Sequence, residues 1–283
     1  SLDMGELSIA KAVFLGALQG ATEFLPVSSS GHLVIAQKLL GVELEGGGLV
    51  ALDVCLHLGT LVSLLAVFWR DVLRILAAML GRPISPAADR EGLSASDARR
   101  LGCFVLIGTI PAVIIGFSLK DFFESLFHDA FSAAVMLLVT GAILFGTRFV
   151  RRHPVDVPRM RWWHALVVGL AQALAIVPGI SRSGSTIAGG LYLGLDRSLA
   201  ARFAFLLAIP AIGGAAILQA GDLAALSHDI LAAVAAGTFV SAVVGFVCVK
   251  WMLSIVKHRH FSWFAWYCWA AGLATIGYLF FKQ

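Results

Sequence analysis

The chain has 283 residues, 59% hydrophobic and 13% charged, with a formal net charge of +4 and a mean hydropathy of +0.89. Soluble domains carry about 25% charged residues, so this composition excludes a soluble globular protein. It describes an all-α polytopic membrane protein in which residues 1–283 form a single integral membrane domain. The cations follow the connections between apolar runs and build no basic face, which excludes a nucleic-acid footprint.

The first apolar stretch, 8–41, is broken at its middle by Phe24-Leu25-Pro26-Val27-Ser28-Ser29-Ser30-Gly31-His32 and reads as helix, polar break, helix. Because that run already carries a motif, no cleavable leader is read in it. Spans of roughly 20 residues follow near 49–69, 101–118 and 132–147. A second broken stretch occupies 162–194, interrupted by Pro178-Gly179-Ile180-Ser181-Arg182-Ser183-Gly184-Ser185-Thr186. Three more spans lie near 203–219, 230–249 and 263–281. Cys55, Cys103, Cys248 and Cys268 stand singly in apolar runs, without metal or redox spacing, and read as inert buried thiols. Trp69, Trp162, Trp163, Trp251, Trp263 and Trp266 sit at span ends, as an interfacial aromatic belt does.

Arginine and lysine set the orientation. The connections 70–100, 148–161 and 250–262 are basic, whereas 119–131 sets Lys120 against Asp121, Glu124 and Asp129, and 220–229 has neither Lys nor Arg. Basic connections belong in the cytoplasm. The loops then alternate only if both broken stretches return to the side they entered from, 8–41 from outside and 162–194 from the cytoplasm. Each half is therefore expected to be one re-entrant helix-loop-helix hairpin plus three transmembrane helices, in an inverted-topology repeat (about 8–150 and about 160–281). At an offset of 153, Gly16, Gln19, Ser28, Ser30 and Gly31 fall on Gly169, Gln172, Ser181, Ser183 and Gly184. Such repeats bring their breaks together near the midplane, so the two polar motifs are expected to meet.

Polar backbone and ionisable groups at membrane depth are costly and mark function. A serine- and glycine-rich turn leading into a helix presents unpaired N–H groups and the positive dipole end to an anion. Arg182 adds a planar cationic fork that matches phosphate oxygens. Glu23 repels phosphate unless it binds a metal ion or acts as a base, and His32 suits proton transfer at neutral pH. Ser28, Ser29 and Ser30 are candidate nucleophiles that need an adjacent base. Gln19, one turn before Glu23, suits substrate, metal or a structural role equally. Close helix packing competes as the explanation of Ser30, Ser183, Gly189 and Gly190. His57 and His164 read as hydrogen-bonded packing residues, with His57 one turn from Asp53 as a mutually neutralising pair. His128, His153, His228, His258 and His260 read as loop or interface residues.

At these residues the chain resembles the bacitracin-resistance (BacA/UppP) family of bacterial undecaprenyl pyrophosphate phosphatases. Gln19, Glu23 and Phe24 through His32 follow the family's first motif, and Pro178 through Thr186 its second. Stretches Asp53 to Thr60 and Ala200 to Gly213 are also similar, so the resemblance covers essentially the whole chain. It implies hydrolysis of the terminal phosphate of undecaprenyl diphosphate, giving the undecaprenyl phosphate that carries cell-wall precursors and conferring bacitracin resistance. It implies a divalent cation, Mg2+ or Ca2+, a bacterial plasma (inner) membrane location and a site open to the periplasmic face. By position it assigns Glu23 as essential acid and metal ligand, Ser29 as nucleophile, His32 as the family histidine and Arg182 as the phosphate-binding arginine. Gln19, Ser28, Ser30, Ser181, Ser183 and Thr186 are assigned to substrate binding. Gln19 replaces the first acid of the all-Glu form, so two carboxylates clamping one ion are not expected here.

The expected chemistry is attack of Ser29 on the terminal phosphorus, with His32 or Glu23 taking its proton; direct attack by water fits the sequence equally well. A membrane transporter or flippase of a lipid phosphate or small anion is the alternative, because inverted repeats and discontinuous helices are transporter architecture. The sequence leaves open whether two copies pair as a homodimer.

Overall fold

The computed structural model describes residues 7–42, 44, 47–82, 93–119, 130–150, 154–226 and 228–281. The acidic connection with Lys120, Asp121, Glu124, His128 and Asp129, and also His153, lies outside the described residues. In chain order the helices are α1 (Ile9–Phe24), α2 (Ser29–Leu39), α3 (Gly48–Met79), α4 (Ala95–Ser118) and α5 (Ala130–Gly146). There follow α6 (Trp162–Leu174), α7 (Arg182–Tyr192), α8 (Arg197–Leu218), α9 (Leu231–Lys257) and α10 (Phe264–Phe281). Among the described residues six helical segments are long and apolar enough to cross a membrane: Gly48–Met79, Ala95–Ser118, Phe131–Phe149, Arg197–Leu218, His228–Lys257 and Phe261–Phe281. They match the six expected spans, and the protein is a multi-pass, all-helical membrane protein.

The spans run further than hydropathy suggests. α3 continues through Arg70, Asp71 and Arg74 to Met79, where the sequence reads as the start of a connection. Nothing there breaks a helix, and Asp71 is held by Arg202 of α8: Arg202 Nε lies 2.7 Å from Oδ2, and Nη2 donates to Oδ1. α4 begins early, at Ala95, because Ser94 caps it, accepting from the backbone N–H of Asp97 at 3.1 Å. Of the four thiols, Cys248 and Cys268 are buried, Cys55 is half-buried and Cys103 is exposed on the apolar surface of α4, so the expectation of burial fails there.

The two broken stretches each form helix, break, helix. α1 has 16 residues and α6 has 13, while α2 and α7 have 11 each. At 1.5 Å per residue none of these arms reaches across a hydrocarbon core of about 30 Å. α1 stops at Phe24 because Leu25, preceding Pro26, is forced into extended backbone (φ −71°, ψ 146°). The second break turns at Gly179, with φ +90°, where a β-carbon would lie 2.8 Å from that of Met136. Both the dihedral and the space require glycine.

Packing between helices rests on small residues, since in lipid close backbone approach replaces the hydrophobic drive. α1 crosses α9 where Gly16 meets Gly237, and α6 crosses α4 where Gly169 meets Gly108. At either crossing a β-carbon on the first glycine would sit 2.9 Å from the α-carbon of the second. α8 runs through the centre, its Phe203, Phe205 and Leu207 fully buried. Phe205 joins Phe24 edge-to-face at 5.9 Å and Phe68 at 6.0 Å, so the end of the first hairpin arm is locked to α8 and α3.

Candidate active site

The two breaks, some 150 residues apart in sequence, meet in the interior as expected. Ser183 Oγ donates to the carbonyl of Leu25 at 3.1 Å, and a β-carbon at Gly184 would lie 3.2 Å from that of Pro26. Across this junction Arg182, the first residue of α7, places Nη1 3.1 Å from Oε1 of Glu23, near the end of α1. These three long-range contacts join the halves of the chain through the two motifs.

Glu23 is the hub. Its side chain is 4% exposed. Oε1 faces Arg182, while Oε2 accepts from Ser29 Oγ at 2.6 Å and from Gln19 Nε2 at 3.0 Å, with His57 Nε2 at 3.5 Å. A carboxylate this deeply buried requires charged and hydrogen-bonding partners, and here it has all of these. The Ser29 contact is as short as charge-assisted O–H···O⁻ bonds are. It also has a backbone cause. Ser28 adopts φ +68° and ψ 97°, unusual for a residue with a side chain, and this turn swings the start of α2 toward α1. The Ser28 side chain makes no capping hydrogen bond to the N-terminus of α2, so its first N–H groups lack that partner.

Sequence reasoning offered His32 or Glu23 as the base for Ser29; the structure places Glu23, and not His32, within hydrogen-bond reach of the Ser29 hydroxyl. His32 contacts the carbonyl of Ser28 through Nδ1 at 2.8 Å and the hydroxyl of Tyr267 through Nε2 at 2.7 Å. A carbonyl only accepts, so Nδ1 carries the proton and Tyr267 donates to Nε2. The two rings stack with centroids 5.8 Å apart. His32 thus grips the unusual Ser28 backbone and is braced by α10.

The remaining predicted residues divide. Ser28 Oγ lies 3.4 Å from Ser30 Oγ, with Ser28 buried and Ser30 half-buried at the start of α2. The Ser181 hydroxyl caps α7 by accepting from the Gly184 N–H at 3.1 Å and sits 3.3 Å from Ser183 Oγ. Thr186 donates to the carbonyl of Arg182 at 2.7 Å. The hydroxyls of Ser181 and Thr186 therefore serve the backbone of α7 in this state and do not face Glu23.

Tyr267 and Thr140 escaped the sequence reading, and His57, read there mainly as a packing residue, joins the site. His57 makes no hydrogen bond to the Asp53 carboxylate: its Nδ1 meets the Asp53 backbone carbonyl at 2.8 Å, and Gln37 Nε2 bonds that carboxylate at 2.7 Å. Its Nε2 reaches Glu23 instead. Its position as a polar residue within an apolar span was the available signal. Tyr267 and Thr140 gave no signal, since an aromatic and a threonine in a span have ordinary packing roles. Thr140 of α5 pins the second break, donating to the Gly179 carbonyl at 2.9 Å and accepting from the Ser181 N–H at 3.1 Å.

The donor set around Glu23 suits a hard cation as well as a phosphate. The amide oxygen of Gln19 has no hydrogen-bond partner although the residue is fully buried. A half-turn of that amide would bring Oε1 to where Nε2 now lies, 3.0 Å from Glu23 Oε2. Two adjacent oxygens, completed by phosphate and water, are the usual protein share of a Mg2+ site.

Residues 12–274 match the family model described as "Bacitracin resistance protein BacA". The chain is 43% identical over 270 residues to a protein of Desulfatibacillum aliphaticivorans named undecaprenyl-diphosphatase, covering 94% of this chain and 97% of that one. It is 41% identical over 275 residues to the Methanosphaera stadtmanae protein of the same name (95% and 98%). A third so named, from Methanobrevibacter smithii, is 40% identical over 270 residues (94% and 96%). With a hub carboxylate joined to Arg182 across two facing breaks, and similarity running along nearly its full length, the chain belongs to the bacitracin resistance protein BacA family.

Proposed function

We propose that the protein is an undecaprenyl-diphosphate phosphatase, which cleaves the phosphoric anhydride of undecaprenyl diphosphate to give undecaprenyl phosphate and inorganic phosphate. The observation that carries this reading is the Ser29 Oγ to Glu23 Oε2 hydrogen bond of 2.6 Å, facing Arg182 across the junction of the hairpins. A hydroxyl held by a carboxylate, next to a guanidinium, is what phosphoryl transfer demands: a positioned nucleophile, a base and charge neutralisation.

In the proposed reaction the C55 tail lies in lipid between helices and the diphosphate enters at the hairpin tips. Arg182 turns from Glu23 to the phosphate oxygens, and the free N–H groups at the start of α2 hold the terminal phosphate. Ser29 Oγ bonds to the terminal phosphorus and gives its proton to Glu23 Oε2. The bridging P–O bond breaks and undecaprenyl phosphate leaves as an anion that needs no proton. Water then cleaves the phosphoserine, returning one proton to Ser29 Oγ and keeping the other on the freed hydrogen phosphate, and Glu23 gives up its proton to bulk water. Glu23 and the Gln19 amide oxygen are the residues that would hold a divalent cation, Mg2+ or Ca2+. When bound, that ion would offset phosphate charge.

The reading includes a bacterial plasma membrane location with the site open to the outer face, and an inverted repeat of hairpin plus three helices. The glycine crossings support the repeat. Gly16 and Gly169, 153 residues apart, each meet a glycine of the opposite half, Gly237 and Gly108.

The test is phosphate release from undecaprenyl diphosphate by purified protein in detergent, with and without EDTA, beside Glu23→Gln and Arg182→Ala. Metal-dependent release that both substitutions abolish is expected. A folded wild-type protein that releases no phosphate refutes the proposal, since a carrier does not hydrolyse its cargo.

A further inference from the structure

The contact between His57 and Glu23 has an unusual form. His57 Nδ1, 2.8 Å from the Asp53 carbonyl, must carry the ring proton, because that oxygen can only accept. In the neutral ring Nε2 then directs a lone pair at Glu23 Oε2, 3.5 Å away. That separation exceeds the usual N–H···O range of about 2.7–3.2 Å. The Nε2 lone pair and the carboxylate oxygen repel each other unless a proton or a metal ion lies between them. The 3.5 Å gap is wide enough for one divalent cation to touch both atoms. A ring N–H anchored on a backbone carbonyl, with the other nitrogen presented inward, is how metal-binding histidines are commonly oriented.

We propose that His57 is a nitrogen ligand of the divalent cation at Glu23, giving this site an affinity for Mn2+ and Zn2+ relative to Ca2+ that an oxygen-only site lacks. The proposal rests on the reading above that Glu23 carries a cation. Imidazole suits borderline ions, whereas carboxylate and carbonyl oxygens alone suit Mg2+ and Ca2+. Among the described residues no three His, Cys, Asp or Glu side chains converge. The protein share is therefore His57 Nε2, Glu23 Oε2 and the otherwise unpartnered Gln19 Oε1, with phosphate and water completing the shell. Gln19 in place of a second carboxylate fits this division, since the nitrogen takes over part of the binding. Ser29, bonded to the same Oε2, lies beside the ion. His32 is held away from it by Tyr267.

The test uses Mn2+ alone with the full-length protein in detergent. Binding is titrated by electron paramagnetic resonance, and pulsed measurements read nitrogen modulation from a coordinated imidazole. The wild type is expected to show 14N modulation that changes to the 15N pattern when its histidines are 15N-labelled, a readout that needs no variant. His57→Gln should bind Mn2+ at least about tenfold more weakly, without the modulation, and with a smaller preference for Mn2+ over Ca2+ in competition. His32→Gln should keep the modulation, and Glu23→Gln should bind no Mn2+. Bound Mn2+ without modulation leaves the contact as an imidazolium–carboxylate ion pair and overturns the proposal. So does modulation that survives His57→Gln or disappears with His32→Gln, or a wild type that binds no Mn2+ at millimolar concentration. Phosphate release is followed in the same preparation. EDTA-sensitive release without nitrogen modulation overturns the ligand role and leaves the phosphatase standing, while absence of release overturns the phosphatase reading whatever the spectrum.

Discussion

Replacing Ser29 by alanine and Glu23 by glutamine, singly and together, tests the contact on which the proposed reaction turns. Glu23→Gln preserves volume in a side-chain environment 4% exposed, and Ser29→Ala removes one half-buried hydroxyl, so both variants should fold. A positioned general base is worth about 10²–10⁴-fold in rate, or roughly 2.7–5.5 kcal/mol of barrier at 1.36 kcal/mol per decade. Glu23→Gln should lose at least that, because it also removes the countercharge of Arg182. Ser29→Ala should lose as much, since the atom that Glu23 would deprotonate is gone. The two side chains act through one 2.6 Å hydrogen bond, so their losses should not multiply. The double variant should be faster than the product of the singles by at least about tenfold, a coupling of roughly 1.4 kcal/mol or more. Single-turnover phosphate release measures the rates, and acid quenching traps a labelled phosphoserine in the wild type. Multiplicative losses, or a Ser29→Ala enzyme retaining more than about a tenth of the rate, would sink the serine mechanism and leave direct attack by water.

Arg182→Lys keeps the charge but loses the planar fork; phosphate release should fall at least about tenfold, and near-normal kcat/KM would show that a point charge suffices. Tyr267→Phe retains the ring stacked on His32 but removes a hydrogen bond worth about 0.5–1.5 kcal/mol. Its kcat should drop about 2- to 12-fold, and an unchanged kcat would remove Tyr267 from the positioning of α2. In the bundle, Asp71→Asn should destabilise by about 2–3 kcal/mol, below the 3–5 kcal/mol of fully buried pairs because the Arg202 side chain is 26% exposed. Asp71→Leu with Arg202→Met should recover most of that in thermal unfolding in detergent; a double variant as unstable as the single would mean the pair matters for more than charge compensation.

The expected span positions followed from hydropathy because lipid admits few alternatives: about 20 apolar residues must close their own hydrogen bonds as a helix. The breaks were equally visible, since Pro26 and the Pro178-Gly179 pair cannot continue a helix wherever they are placed. Helix ends were less so. Arg70 through Met79 look like a connection by hydropathy, and only the partner Arg202, 131 residues from Asp71, explains why α3 carries them. Within the site, Glu23, Ser29 and Arg182 stood out as polar groups in the wrong solvent, and the structure joins all three.

What sequence could not decide was which polar group meets which. His32 and Glu23 were equal candidates for the proton of Ser29 by composition. Tertiary packing separated them by placing Tyr267 against one and Ser29 against the other. His57 shows the same limit from the other side, since its nearest charged neighbour in sequence is Asp53 but its Nε2 lies against Glu23, on a helix 34 residues earlier. Local sequence determines where the chain may be helical and where it must break, because those are short-range questions of hydrogen bonding and sterics. Proton routes and charge pairs depend on distances of 2.7–3.5 Å between helices far apart in sequence, and only the crossings that hold those helices in place decide them.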